Sequence, residues 1–180
     1  CMWGYPMTRN QLLNIFETHR SQWLRSPPGL ASVAELRHDV LERGKDQSSR
    51  ILSDDGGLRI ALQALGSGVS LPIHDHPGAR GLITVQEGLL HVQSFDILEN
   101  HAGGRTALLI RRGKRTIGVN GYDWIGKNRH NLHSLESDAN FTLVFSIRQY
   151  TPTSMGRRAY AFVFDDRQDE STGIAITKPL

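Results

Sequence analysis

From Ser49 onward the chain is a succession of short runs rich in Val, Ile, Leu, Thr and Phe, each bounded by Gly, Asn or Asp. Runs of that length, at that spacing, cannot make a helical bundle; they predict an all-β sandwich or barrel. Strands are expected near 58–65, 71–76, 81–87, 89–96, 106–110, 115–119, 131–136, 141–150 and 159–164. Glu87-Gly88 and Asn120-Gly121 read as tight hairpin turns. Eighteen glycines and seven prolines are scattered rather than clustered, as a protein with many turns requires.

The first 48 residues have another character. Leu12, Leu13, Ile15, Phe16 and Trp23 recur with helical spacing behind Thr8, a good N-cap, and Pro27, Pro28 and Gly29 should end that helix. A second helix is expected from Ser32, with Glu35 completing a capping box, through Val33, Leu36, Val40 and Leu41 to Gly44. Lys45 to Ser49 reads as a polar link. The 180 residues suit a single domain, residues 1–48 forming a helical segment packed on a barrel of 49–180.

Several classes of function are excluded at this level. The one cysteine, Cys1, permits no intrachain disulfide, no zinc site built on two or four thiolates and no cysteine nucleophile within the fold. Net charge is +3, and the densest basic run, Arg111, Arg112, Lys114 and Arg115, is broken by Gly113 and has no aromatic interleaving. It reads as a solvated turn between two strands, so no nucleic-acid partner is expected. No apolar stretch approaches the roughly 20 residues that cross a bilayer, and Cys1 to Met7 lack the regions of a signal peptide. A soluble, cytoplasmic protein is the expectation.

The stretch that carries chemistry is GSGVSLPIHDHPGARGLITVQEG, residues 66–88. His74 and His76 lie two apart in an expected strand and so point to one face. Two imidazoles side by side on an inward face are costly to leave unpaired, and a metal satisfies both. A bare His-x-His also arises by chance; the Gly-rich turn before it, the Pro after it and Gly88 beyond strengthen the metal reading. This stretch resembles the first motif of the cupins, small jelly-roll-like β-barrels that hold a metal near one mouth. Most cupins place a Glu three or four residues after the second His, where this chain has Ala79 and Arg80. The resemblance therefore implies a carboxylate-free set of three neutral histidines, the third being His130 or His133. His133 shares parity with Leu135, and Asn-Leu-His at 131–133 is similar to the third-ligand segment of thiol dioxygenases, which favours His133. The Pro-x-Gly that usually precedes this histidine in cupins is not present.

Over roughly residues 50–152 the resemblance extends to the cysteine dioxygenase type of thiol dioxygenase, including the bacterial mercaptopropionate and mercaptosuccinate dioxygenases. It implies iron(II) as cofactor, held by His74, His76 and His133, although zinc also suits three histidines. It implies a small thiol and O2 as partners, and a sulfinate product. Arg50 stands in the place of the family's carboxylate-binding arginine; the alternative is a surface arginine after a linker. The run SIRQYTP resembles the family's Ser-x-His-x-Tyr segment, giving Ser146, Arg148 and Tyr150 catalytic or substrate-binding roles. By strand alternation those three share one face, and Phe141, Leu143, Phe145 and Ile147 share the other, packed outward against the helices. The alternative for Tyr150 is an edge residue with its hydroxyl in water. Two departures matter. Gly81 replaces the cysteine of the animal enzymes' thioether crosslink, and Arg148 replaces a histidine. If Arg148 and Arg80 join Arg50 at the cavity, the site suits a thiol bearing one or two carboxylates; Arg80 has Asp75 as an alternative partner. Two other readings stand beside this one: a cupin cleaving a C–C bond of a diketone-like chelate, and a cupin that binds a small molecule without turnover. A monomer or a homodimer is expected.

Overall fold

The computed structural model describes residues 7–55, 57–76, 78–100, 106–126, 132–150, 160–164 and 172–179. Two helices, α1 (Arg9–Arg25) and α2 (Pro27–Arg37), lead through a π-helical turn at His38–Glu42 into β1 (Gln47–Asp55). The strands that follow are β2 (Leu58–Gly66), β3 (Ser70–His74), β4 (Ala79–Glu87), β5 (Leu90–Asn100), β6 (Thr106–Ile117), β7 (Tyr122–Ile125), β8 (Leu132–Ser137), β9 (Phe141–Tyr150), β10 (Tyr160–Phe164) and β11 (Thr172–Pro179).

Thr8 caps α1 as expected: its hydroxyl accepts from the Gln11 N–H at 3.3 Å, and the Gln11 side chain accepts from the Thr8 N–H at 2.8 Å. The second helix starts earlier than the capping-box reading placed it. Ser26 is its N-cap, accepting from the Gly29 N–H at 3.1 Å, and Pro27 opens its first turn. Proline costs nothing there, because the first N–H groups of a helix have no partner to lose. Ser32 lies inside the helix, its hydroxyl donating back to the Pro28 carbonyl at 2.8 Å. Gly29 lets the two helices fold tightly together, since a Cβ there would lie 1.7 Å from the Trp23 carbonyl oxygen.

All strand pairs within the two sheets are antiparallel. One sheet has the order β1-β2-β9-β4-β7; the other runs β10-β11-β6-β5-β8-β3, and β3 pairs back onto β10. Within these, β2-β9-β4-β7 faces β6-β5-β8-β3, the strand order of a double Greek-key jelly roll. The fold is thus all-β with an N-terminal helical layer, the cupin architecture.

Alternation along β9 decides what each side of the first sheet carries. Phe141, Leu143, Phe145 and Ile147 face outward, where Leu12, Phe16, Leu36 and Val40 of the helical layer cover them. Phe16 meets Phe145 edge-on, with ring centroids 5.3 Å apart. The opposite face looks between the sheets. There Leu65, Leu71, Ile83, Val85, Val92, Leu135 and Val144 form a second apolar cluster. Further along β9 that inward face turns polar, through Ser146 to Arg148, and the site lies there.

Four strands depart from the sequence reading. The basic run 111–115 is not a turn but the middle of β6, a single strand of 12 residues. Gly113 sits beside a register shift against β5, Arg112 donates to Asp96 at 2.7 Å, and Arg115 pairs with Asp123. Carboxylates on β5 and, across the sheets, on β7 thus neutralise part of the run, and extended backbone tolerates it. The supposed link before Arg50 belongs to β1, a polar edge strand, and β7 and β11 are strands where none was expected. Neither expected hairpin forms: β4 and β5, and likewise β6 and β7, lie in different sheets, so Glu87-Gly88 and Asn120-Gly121 carry the chain from one sheet to the other. Gly88 turns with φ +82°, and a Cβ there would lie 2.4 Å from the Phe141 carbonyl oxygen.

Candidate metal centre

His74 closes β3, His76 lies two residues beyond it, and His133 lies on β8 as the direct register partner of His74. Strand pairing thus joins sequence positions 59 apart. Nε2 of His76 and Nε2 of His133 are 3.1 Å apart, and the three ring centroids lie 4.7 to 4.9 Å from one another, all edge-on. Among the described residues these three form the one group of His, Cys, Asp or Glu able to hold a metal ion, with ligand atoms within 4.8 Å of each other. His130 lies outside the described residues, as does His101.

The protonation states suit ligation. Burial pushes His74 and His133 down to about 3, and His76 well below the usual histidine value; the Arg148 charge adds to all three. At neutral pH the imidazoles are therefore uncharged. Nδ1 of His74 sits 2.9 Å from the Pro72 carbonyl, which makes it the N–H donor and leaves Nε2 with its lone pair. Behind His133 lies Asp123 of β7, its carboxylate 3.7 Å from Nδ1, and Arg115 pairs with that carboxylate from β6. Sequence reasoning passed over Asp123, whose signal was an Asp sharing strand parity with the apolar Ile125. Three neutral nitrogen donors converging at one point fit a divalent transition metal.

A cavity of about 330 Å³ adjoins His74. Ser146 and Arg148 line it from β9, Arg59 and Gln63 from β2, and Ser49 and Ile51 from β1. Arg59 and Arg148 are direct cross-strand partners, so two guanidinium groups share one stretch of wall. Arg59 is partly neutralised by Asp54, donating from Nε and Nη2 at 2.9 and 2.7 Å. Nε of Arg148 is buried and finds no hydrogen-bond partner among the described residues. Like charges directly opposite one another destabilise a sheet, and Asp54 offsets the Arg59 member of this pair. Gly81 makes room for Arg148: a Cβ there would lie 2.2 Å from the Ile147 carbonyl oxygen and 3.2 Å from Cγ of Arg148.

The structure brings His74, Ser146 and Arg148 to one cavity, with His76 and His133 against His74. Tyr150, at the end of β9, stands at the margin, with the Arg59 guanidinium 5.4 Å from its ring centroid. Arg50 and Arg80 are elsewhere. Arg50 alternates with the cavity-lining Ser49 and Ile51 and so projects to the helical side. There it pairs with Glu35 at 2.7 Å and approaches Asp39 at 3.6 Å. Asp39 is a buried carboxylate pulled down to about 2 by a hydrogen bond from Ser48 and by Lys45. Arg80, out of phase with Gly81, donates to the Met7 carbonyl at 2.9 Å. Among the described residues the arginines that line the cavity are Arg148 and Arg59, the second of which sequence reasoning did not single out. His91 is bound by Thr116 at 2.8 Å and Asp138 at 3.3 Å, remote from these groups.

Jelly-roll strand order gives the chain a cupin-type fold, and three inward histidines give it a candidate metal centre. By sequence, the chain is similar to the human 2-aminoethanethiol dioxygenase, 26% identical over 106 residues, covering 59% of this chain and 38% of that protein. It is 37% identical over 102 residues to the mouse 2-aminoethanethiol dioxygenase, covering 57% and 38%. The matched segment thus spans about two fifths of the length of these curated relatives. No family model matches. Similar solved structures include KdgF from Halomonas sp., with a TM-score of 0.45 at 14% identity, covering 61% of this chain and 84% of that one. Another is the cupin domain of Schizosaccharomyces pombe Cnp3, with a TM-score of 0.46 at 9% identity, covering 63% and 71%. Among the described residues no helix is long and apolar enough to cross a membrane.

Proposed function

We propose that this chain is a non-haem iron(II) thiol dioxygenase acting on a small carboxylate-bearing thiol of the 3-mercaptopropionate, mercaptosuccinate or cysteine type. The reaction is RSH + O2 → RSO2H: the sulfur gains both oxygen atoms and is oxidised as dioxygen is reduced. The observation that carries this reading is the pairing of Arg148 with Arg59 on the cavity wall beside three neutral imidazoles. The thiol-dioxygenase names of the relatives support the reaction class. Their named substrate carries an amine, whereas this wall is cationic and would repel an ammonium group.

His74, His76 and His133 would hold the metal, which when bound supplies a ligand position for the thiolate and activates dioxygen. The chain's own residues do the rest. Arg148 binds the substrate carboxylate through its fork of donors, a geometry matched to a planar oxyanion. Arg59 stands next to it for a second carboxylate. Together they fix the thiol end toward the histidines, so that reaction begins from one orientation. The Ser146 hydroxyl, held weakly at 3.4 Å from the Ala61 carbonyl, faces the same space as a polar contact for substrate. Tyr150 steadies the outer end through Arg59.

Oxygen uptake by the iron(II)-loaded protein tests this. The panel is cysteine, 2-aminoethanethiol, 3-mercaptopropionate and mercaptosuccinate, with product masses measured. Uptake with a gain of two oxygen atoms in an acidic thiol is the expected result. Iron bound with no uptake for any thiol would overturn the reading and leave cleavage of a diketone-like chelate, or binding alone.

A further inference from the structure

Asp123 is one of the most deeply buried charged groups in the described fold, at 2% exposure. It lies on β7 opposite Ile83, on the same side of the strand as the fully buried Ile125. A carboxylate placed there costs several kcal/mol unless charged or hydrogen-bonding partners meet it. Two do. Arg115 reaches it from β6 with a side chain that is itself half in water, and His133 presents Nδ1 to its other oxygen at 3.7 Å.

The geometry at His133 gives this contact a direction. Nε2 of that ring points into the centre, 3.1 Å from Nε2 of His76, so the nitrogen facing Asp123 is the one a metal would not use. A ligating histidine works best when its outer N–H meets an acceptor, which fixes the ring and raises the donor strength of the inner nitrogen. For His74 that acceptor is the neutral Pro72 carbonyl. For His133 it is an anion. The gap of 3.7 Å is an electrostatic contact rather than a hydrogen bond, in surroundings where charge is little screened.

We infer that Asp123 is a positioning residue for His133, and that Arg115 anchors Asp123 from the surface. The chain Arg115–Asp123–His133 then sets the orientation and donor strength of one metal ligand from outside the cavity. It links β6, β7 and β8 across the two sheets. The inference rests on the reading of the three histidines as a metal centre, but not on the identity of the reaction.

The test is metal affinity, measured by competing cobalt(II) and iron(II) against a chromophoric chelator, with the visible spectrum of the cobalt(II) protein as a second readout. Asp123→Asn should weaken binding about 10- to 100-fold and shift the cobalt bands. Asp123→Glu should recover most of the loss. Arg115→Gln, a change at a half-exposed side chain, should weaken binding in the same direction by a smaller factor. A structural role alone would lower the melting temperature of Asp123→Asn while leaving affinity and spectrum as in the wild type, and that result overturns the inference. Should Asp123→Asn fail to fold, wild-type affinity in Arg115→Gln overturns it instead. Wild-type protein that binds neither metal, or a His133→Ala variant that binds as tightly, removes the metal-centre reading itself.

Discussion

The site contains three imidazoles held uncharged by burial, the Arg148 guanidinium, whose Nε has no hydrogen-bond partner among the described residues, and a glycine that leaves space for it. Each makes a separate prediction. Between pH 6.5 and about 3 the unfolded chain takes up protons at histidines that the metal-free folded site keeps neutral. The unfolded state therefore binds more protons, and stability falls as pH falls through that window, by up to about 1.4 kcal/mol per pH unit for each histidine. Denaturant unfolding of metal-free protein at pH 7.5 and 5.5 should show this loss, and His76→Ala should show a smaller one. Arg148→Gln should raise KM for an acidic thiol roughly 10- to 100-fold, the effect of losing a charged hydrogen-bonded contact. Arg50→Gln should instead lower stability slightly and leave KM alone, because Arg50 serves Glu35 and Asp39. Gly81→Ala should destabilise by about 1–3 kcal/mol, as overpacking against the β9 backbone does. The histidines were legible because two-residue spacing and strand parity survive errors in strand boundaries. Arg59 was not, because its place on the wall depends on the register of β2 against β9, which no local pattern records.

At the scale of elements, apolar alternation decided what could be read. In β9 the outward Phe141, Leu143, Phe145 and Ile147 mark one face unmistakably, and the inward set follows from them. In β1 there is no such contrast: QSSRILSDD is polar on both faces, an edge strand whose register comes from pairing with β2. The expectation for Arg50 came from the resemblance alone, with no strand pattern to set its phase, and Arg50 falls between the cavity-lining Ser49 and Ile51. The second helix failed for another reason. Two prolines and a glycine read as a stop, but in the first turn of a helix they form a start. Ser26 joins the two helices, its hydroxyl donating to the Trp23 carbonyl at 2.9 Å and accepting from Gly29 N–H. Ser26→Ala should therefore cost about 1–2 kcal/mol. Thermal melting should register that as a drop of roughly 2–8 °C.

Over the whole molecule, the helical layer and the cavity are two sides of one sheet. The apolar side needs the helices as cover, which frees the inner side of β2 and β9 to carry polar groups beside the histidines. A net charge of +3 is modest, yet two of its cations share one wall of one cavity. The aminothiol named for the relatives would bring its ammonium group against that wall. The most direct measurement is therefore kcat/KM of the iron(II)-loaded protein for 3-mercaptopropionate against 2-aminoethanethiol, at matched pH and ionic strength. Preference for the acid by tenfold or more, lost in Arg148→Gln, is the expected result. Equal or better turnover of 2-aminoethanethiol by the wild type would contradict it.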